Sequence, residues 1–208
     1  MKKLLTVLLA VTLLFTLSGC NRNSKTDEVE DPGSGLDEPG RNPEVTIIIE
    51  DYGTIVVELY PDVAPNTVNS FIKNIQDGVY TDNEIHRVIE DFVIQGGATS
   101  VTCNIEAEVN NNPSFKGTND MEHDRGAISM ARTNVYNSAT TQFFLVHEDA
   151  GFLDNEYAAF GMIIEGFDVL DDVAGVNTNY YDGPLVKIVI ESITVELFGN
   201  EYPDPVCE

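Results

Sequence analysis

Arg87 is a residue whose type and neighbours could do chemistry. It follows His86, and Phe92, Val93 and Gln95 come shortly after it. A guanidinium is always charged and carries its N–H donors in a fixed planar fork. Beside aromatic side chains that keep water away, it can stabilise a localised electron pair without forming a covalent bond. The chain lacks the common signatures of several other chemistries. It has no Gly-x-Ser-x-Gly, no His-Glu-x-x-His and no Cys-x-x-Cys, so neither a hydrolase nucleophile nor a metal or redox motif is expected. His86, His123 and His147 lie far apart, without ligand spacing. No cofactor and no metal are expected.

The elements around Arg87 are short and mostly extended. Residues 45–49 and 54–59 are rich in β-branched side chains and flank the turn triplet Asp51-Tyr52-Gly53, which predicts a β-hairpin. Pro65 suits the first turn of a helix. Val68, Phe71, Ile72 and Ile75 then form one apolar helical stripe, and Gly78 suits its end. Further strands are predicted at 85–89, 92–96, 126–131, 142–146 and 158–164, a second short helix at 165–173, and a long strand over 187–197. Many short strands with two isolated helices predict a closed antiparallel barrel with helical lids.

The chain has 208 residues, of which 42% are hydrophobic, enough for one ordinary domain with flanking segments. It carries 35 acidic against 11 basic residues. Such a surface is repelled by phosphate backbones, so nucleic-acid binding is not expected. Lys2 and Lys3 precede an uncharged run from Leu4 to Leu17, and Ser18 and Gly19 follow. That order reads as a secretory signal over residues 1–19, with an apolar run shorter than the ~20 residues of a spanning helix. Leu17-Ser18-Gly19-Cys20 resembles a bacterial lipobox, which makes Cys20 the expected lipidation site and the lipid the only expected membrane contact. Residues 20–43, rich in Gly, Pro and charge, are expected to form a disordered tether. The folded domain is expected over 44–197, with a C-terminal tail at 198–208. Cys103 and Cys207 are left either to pair or to stand free; the sequence leaves both open.

Four blocks carry a resemblance. His86-Arg87-Val88-Ile89-Glu90-Asp91-Phe92-Val93-Ile94-Gln95-Gly96-Gly97 resembles the central signature of the cyclophilins. Pro65-Asn66-Thr67-Val68-Asn69-Ser70-Phe71 resembles their first helix. Arg125-Gly126-Ala127-Ile128-Ser129-Met130-Ala131-Arg132 resembles the strand after their long loop. Asn137-Ser138-Ala139-Thr140-Thr141-Gln142-Phe143-Phe144 is followed, in the family's order, by Phe152-Leu153-Asp154 and Phe160-Gly161. The resemblance covers about residues 44–197.

It implies an eight-stranded antiparallel β-barrel capped by two α-helices, and a groove on the barrel's outer face. It implies a monomeric peptidyl-prolyl cis–trans isomerase whose partners are proline-containing polypeptides; here these would be extracytoplasmic proteins of a bacterium, whose folding it would assist. Arg87 would be the catalytic arginine. Phe92, Val93, Phe144 and Leu153 would wall the proline pocket. Gln95 and Gln142 would hydrogen-bond the peptide backbone, with Ala131 and Arg132 bordering it and Phe152 and Tyr157 on the rim. For His86 a groove role and a structural role both stand. Outside this context Arg87 reads as a surface ion-pair partner, and the aromatic residues as plain core.

The chain departs from the family pattern at several positions. Val93 stands where methionine is common, Phe152 where many members carry tryptophan, Tyr157 where histidine is frequent and Arg132 where asparagine is frequent. Ala98 replaces a usual aspartate, and the loop 98–124 lacks the family's glycine-rich run. These changes spare the arginine and the apolar pocket, and bear on substrate preference and drug sensitivity. The alternative reading is a non-catalytic proline-peptide-binding module of the cell envelope.

Overall fold

The computed structural model describes residues 40–97 and 103–208. Cys20, the segment before it, most of the tether and Ala98 lie outside the described residues. The elements run β1 (Glu44–Ile49), β2 (Gly53–Leu59), α1 (Pro65–Gln76), β3 (Asn83–Ile89), β4 (Val93–Gly96), β5 (Ala127–Met130), β6 (Phe143–Val146), a 3-10 turn (Gly151–Leu153), β7 (Ala159–Glu165), α2 (Phe167–Ala174) and β8 (Ile188–Glu196). The strands close a barrel in the order β1-β2-β7-β5-β6-β4-β3-β8, with every pairing antiparallel. The expected hairpin, both helices and the long last strand are all present.

Strand alternation fills the barrel. Val45, Ile47 and Ile49 of β1 and Ile55, Val57 and Leu59 of β2 are buried, with the intervening residues facing outward. Helix α1 lays its stripe of Val68, Phe71, Ile72 and Ile75 on the core. The Phe71 ring meets Tyr80, Phe143 and Phe160 at centroid separations of 5.2, 5.4 and 5.2 Å. Pro65 opens the helix as expected, but no local side chain caps it. The carboxylate of buried Glu108 accepts from the N–H groups of Asn66 (3.1 Å) and Thr67 (2.7 Å), so a distant loop satisfies donors that every helix start leaves over.

Residues 198–208 fold back onto the domain. Cys207 is disulfide-bonded to Cys103, with Cα atoms 5.4 Å apart. Asn66 and Val206 exchange two hydrogen bonds, and the Glu208 N–H donates to the carbonyl of Asn104.

Candidate active site

Register aligns the site. Arg87 of β3 lies opposite Gln95 of β4, Gln95 opposite Phe144 of β6, and Phe144 opposite Ser129 of β5. Directly opposed residues on neighbouring strands share a face. The adjacent row, Val88, Ile94, Leu145 and Ile128, belongs to the barrel interior. The Arg87 row therefore points outward, and Val93, two residues from Gln95, joins it. Loops 121–126, 131–142 and 147–158 cover that outer face and build a second apolar cluster of Val93, Ala127, Phe144, Val146, Ala150 and Leu153. Strands β5 and β6 are buried at every position because both of their faces are covered.

A cavity of about 350 Å³ opens in this layer. Its walls are Arg87, Phe92, Val93, Gln95, Ala131, Arg132, Phe144, Phe152, Leu153 and Tyr157. Ten of the twelve residues expected at the groove thus meet around one space. Gln142 lines an adjoining depression that shares Gln95, Ala131 and Arg132 with the cavity. His86 lines neither; it is half-buried beside a register shift between Ile85 and Arg87.

Hydrogen bonds fix the polar side. Arg87 Nη1 donates to Gln95 Oε1 at 3.3 Å, and Gln95 Nε2 donates to Gln142 Oε1 at 3.0 Å. Gly97 allows this close approach. Its φ is +102°, and a Cβ there would fall 2.5 Å from the Thr141 carbonyl oxygen. Arg132 is committed to the protein: Nε donates to the Glu156 carbonyl (2.9 Å) and Nη1 to that of Thr133 (2.8 Å), and its guanidinium lies over Tyr136 and Tyr157. It borders the cavity by clamping two loops together.

The apolar side is stacked from below. Tyr157 meets Phe144 edge-on at 5.8 Å, and the His123 ring stacks on it at 5.9 Å. Phe152, 73% exposed, leans on Phe92 at 5.3 Å on the rim. His123 is fully buried, with Nδ1 2.8 Å from Asp154 Oδ1 and Nε2 3.0 Å from Ser129 Oγ. Burial, the largest influence, holds its pKa below the ordinary value against the opposing pull of Asp154. The neutral ring therefore donates from Nδ1 to the carboxylate and accepts at Nε2 from the serine hydroxyl. The order resembles a nucleophilic triad, but Ser129 Oγ has no exposed surface to meet a substrate. The network is the floor under Phe144.

Two contacts escape sequence reasoning. Asp182, in the loop before β8, places Oδ2 3.5 Å from Arg87 Nε. His123 sits in a loop with no periodic pattern, and nothing in the sequence ties it to Asp154 or Ser129. An Asp-Gly-Pro turn at 182–184 was the available signal for the first contact, and nothing in it pointed to Arg87.

The geometry can be set beside known proteins. Residues 44–195 match the family described as cyclophilin type peptidyl-prolyl cis-trans isomerase/CLD. Peptidyl-prolyl cis-trans isomerase B of Escherichia coli (strain K12) is 34% identical over 157 residues, covering 69% of this chain and 94% of that protein. Peptidyl-prolyl cis-trans isomerase cyp18 of Streptomyces antibioticus is 37% identical over 158 residues, covering 69% and 93%. A crystal structure of a Cryptosporidium parvum cyclophilin type peptidyl-prolyl cis-trans isomerase superposes with a TM-score of 0.66 at 26% identity, over 74% of this chain and 98% of that one. A second structure of that protein, in the presence of the dipeptide Ala-Pro, gives 0.63 at 25% identity over the same shares of the two chains. With this barrel order, this matched span and an arginine set against an apolar pocket, the chain belongs to the cyclophilin-type peptidyl-prolyl cis–trans isomerases.

Proposed function

We propose that this isomerase works outside the cytoplasm, held to a bacterial membrane by a lipid on Cys20, and speeds the folding of proline-containing polypeptides there, with Arg87 as its catalytic group. Residues 1–19 would be removed as a signal, 20–43 would be the tether, and 44–197 the catalytic domain, with 198–208 as its stapled tail. The observation that carries the catalytic assignment is the meeting of the Arg87 guanidinium with four apolar walls, Phe92, Val93, Phe144 and Leu153, in a single cavity whose other arginine, Arg132, is taken up by the carbonyls of Glu156 and Thr133.

The X–Pro amide rotates over a barrier of ~18–20 kcal/mol and isomerises in tens to hundreds of seconds uncatalysed. No bond is made or broken, so an enzyme needs only to hold the twisted amide more tightly than either planar form. Twisting localises the lone pair on the prolyl nitrogen. The Arg87 fork donates to that nitrogen while Gln95 steadies its Nη1 side. The apolar walls grip the proline ring, and their dryness strengthens the hydrogen bond. Gln142 and Gln95 offer amide groups to the peptide backbone.

The disulfide between Cys103 and Cys207 supports the compartment, because such bonds persist where glutathione and thioredoxin do not reduce them. Charge, length and cysteine position in the first twenty residues support the anchor. A proline-peptide clamp without turnover would need the pocket but not the arginine.

Assay of wild type and Arg87→Ala on an X–Pro peptide tests the assignment. A folded Arg87→Ala variant is expected to lose at least about tenfold in kcat/KM. Arg87→Lys is expected to be impaired as well, since an ammonium lacks the fork. Undiminished turnover in folded Arg87→Ala would remove the arginine from the mechanism. Metabolic lipid labelling of wild type and Cys20→Ser tests the anchor, and equal labelling of both would refute it.

A further inference from the structure

The loop between α2 and β8 is a built hairpin. The Asn179 N–H donates to the Gly183 carbonyl (2.8 Å) and the Asp182 N–H to the Asn179 carbonyl (3.1 Å). Asn179 Oδ1 accepts from the N–H groups of Tyr181 and Gly183. Thr178 bridges Pro184, and the Leu185 N–H donates to the Asn177 carbonyl. At its tip Tyr180 is 91% and Tyr181 83% exposed, their rings edge-on at 5.2 Å. Leu185 and Val186 follow, also exposed. Four of the eight exposed large apolar side chains among the described residues fall in this one segment. Apolar groups gathered on one hydrogen-bonded support mark an interaction surface.

The hairpin adjoins the catalytic groove. Asp182, next to Tyr181, contacts Arg87 Nε through its carboxylate, and its carbonyl accepts from the Val88 N–H. A polypeptide whose X–Pro bond sits against Arg87 continues past the arginine at ~3.3 Å per residue. Tyrosine supplies broad amphipathic contact with few rotamers to order. The geometry points to Tyr180, Tyr181, Leu185 and Val186 as a secondary client-binding surface that takes an apolar or aromatic side chain lying a few residues from the isomerised proline. This rests on the isomerase reading of Arg87 and adds a preference in long, unfolded clients that short peptides do not reveal.

The test compares three substrates sharing one X–Pro core. One is a tetrapeptide; the others are peptides of about fourteen residues, long enough to pass the hairpin, with flanks of Leu and Phe or of Ser and Gly. Wild type is expected to show a KM roughly fivefold lower for the apolar-flanked peptide than for the polar-flanked one. Tyr180→Ser with Tyr181→Ser is expected to erase that difference and keep tetrapeptide kcat/KM within about twofold; Leu185→Ser with Val186→Ser is expected to narrow it. Equal KM values for both long peptides in wild type, or an undiminished preference in the tyrosine double variant, would overturn the surface. So would sedimentation showing a wild-type dimer that the tyrosine changes convert to monomer, since the patch would then serve a second copy of the chain. If wild type fails to turn over the tetrapeptide, the catalytic reading is what has failed. Calorimetric binding of the two long peptides to wild type and double variant then decides the hairpin's role independently.

Discussion

Asp182 Oδ2 stands 3.5 Å from Arg87 Nε, while Gln95 holds the same guanidinium at Nη1. The fork is thus gripped on two sides. The two side chains of the ion pair are 37% and 44% exposed, so the pair contributes only ~0–1 kcal/mol to stability. Its consequence is where the fork points. Asp182 has a φ of +62°, a left-handed conformation that asparagine tolerates and alanine resists, so Asn is the informative replacement. Asp182→Asn is expected to melt within about 2 °C of wild type and to lower kcat on a short peptide about two- to fivefold with KM little changed. A fall in KM affinity with kcat intact would instead assign Asp182 to substrate binding.

The disulfide ties two points 104 residues apart. Closing so long a loop in the unfolded chain is worth ~2–5 kcal/mol of stability in the chain-entropy account. Cys207→Ser is therefore expected to lower the denaturant midpoint clearly, and reductant is expected to lower wild type to the same value and leave the variant unmoved. Short-peptide turnover at 20 °C should stay within about twofold, because neither cysteine lines the cavity. A variant as stable as oxidised wild type would show that the hydrogen bonds of Asn66, Val206 and Glu208 hold the tail alone.

Elements were legible where periodicity carried them. The stripe of Val68, Phe71, Ile72 and Ile75 fixed α1, and alternation fixed β1 and β2. The groove was legible because its residues come in contiguous blocks whose register then aligns Arg87, Gln95 and Phe144 in one row. The remainder depends on contacts between segments distant in sequence. Glu108 caps α1 from more than forty residues away, Asp182 reaches Arg87 across a loop, and His123 bridges Asp154 and Ser129. Such pairs leave no local pattern. His86 shows the converse: adjacency in sequence to Arg87 did not bring it into the cavity.

His123 gives a pH signature. Burial lowers its pKa below the ordinary 6.5 despite Asp154, while the unfolded chain regains the ordinary value. Between these two values the unfolded chain binds a proton that the native protein does not. This contribution to stability is therefore complete above about pH 6.5 and is lost as pH falls from there toward the native value. NMR titration is expected to show the His123 ring still neutral at pH 6.5. The loss of unfolding free energy between about pH 7 and 5 should be shallower in His123→Gln. A His123 that titrates at or above 6.5 would mean that the Asp154 interaction outweighs burial.

Phe152 decides the last prediction. It lies on the cavity rim, 73% exposed, with its ring 5.3 Å from Phe92. Its resemblance to the family places it where a tryptophan donates its indole N–H to cyclosporin. A phenyl ring has no such donor. A lost hydrogen bond is worth about 0.5–1.5 kcal/mol, and more when the ligand's acceptor is left buried and unpaired. The smaller ring also gives up contact area. Tyr157, set edge-on to Phe144, occupies the neighbouring wall where histidine is frequent, and Arg132 lies over its ring, so that side of the rim cannot readily shift to compensate. The protein is therefore expected to bind cyclosporin at least about tenfold more weakly than a tryptophan-bearing member. Phe152→Trp should recover part of that affinity. Peptide turnover should change little, because the pocket walls Val93, Phe144 and Leu153 are untouched. Paired inhibition curves under identical conditions measure this. Coincident curves would move the cause to Tyr157 and Arg132, whose stacked pair would then be the barrier to the drug.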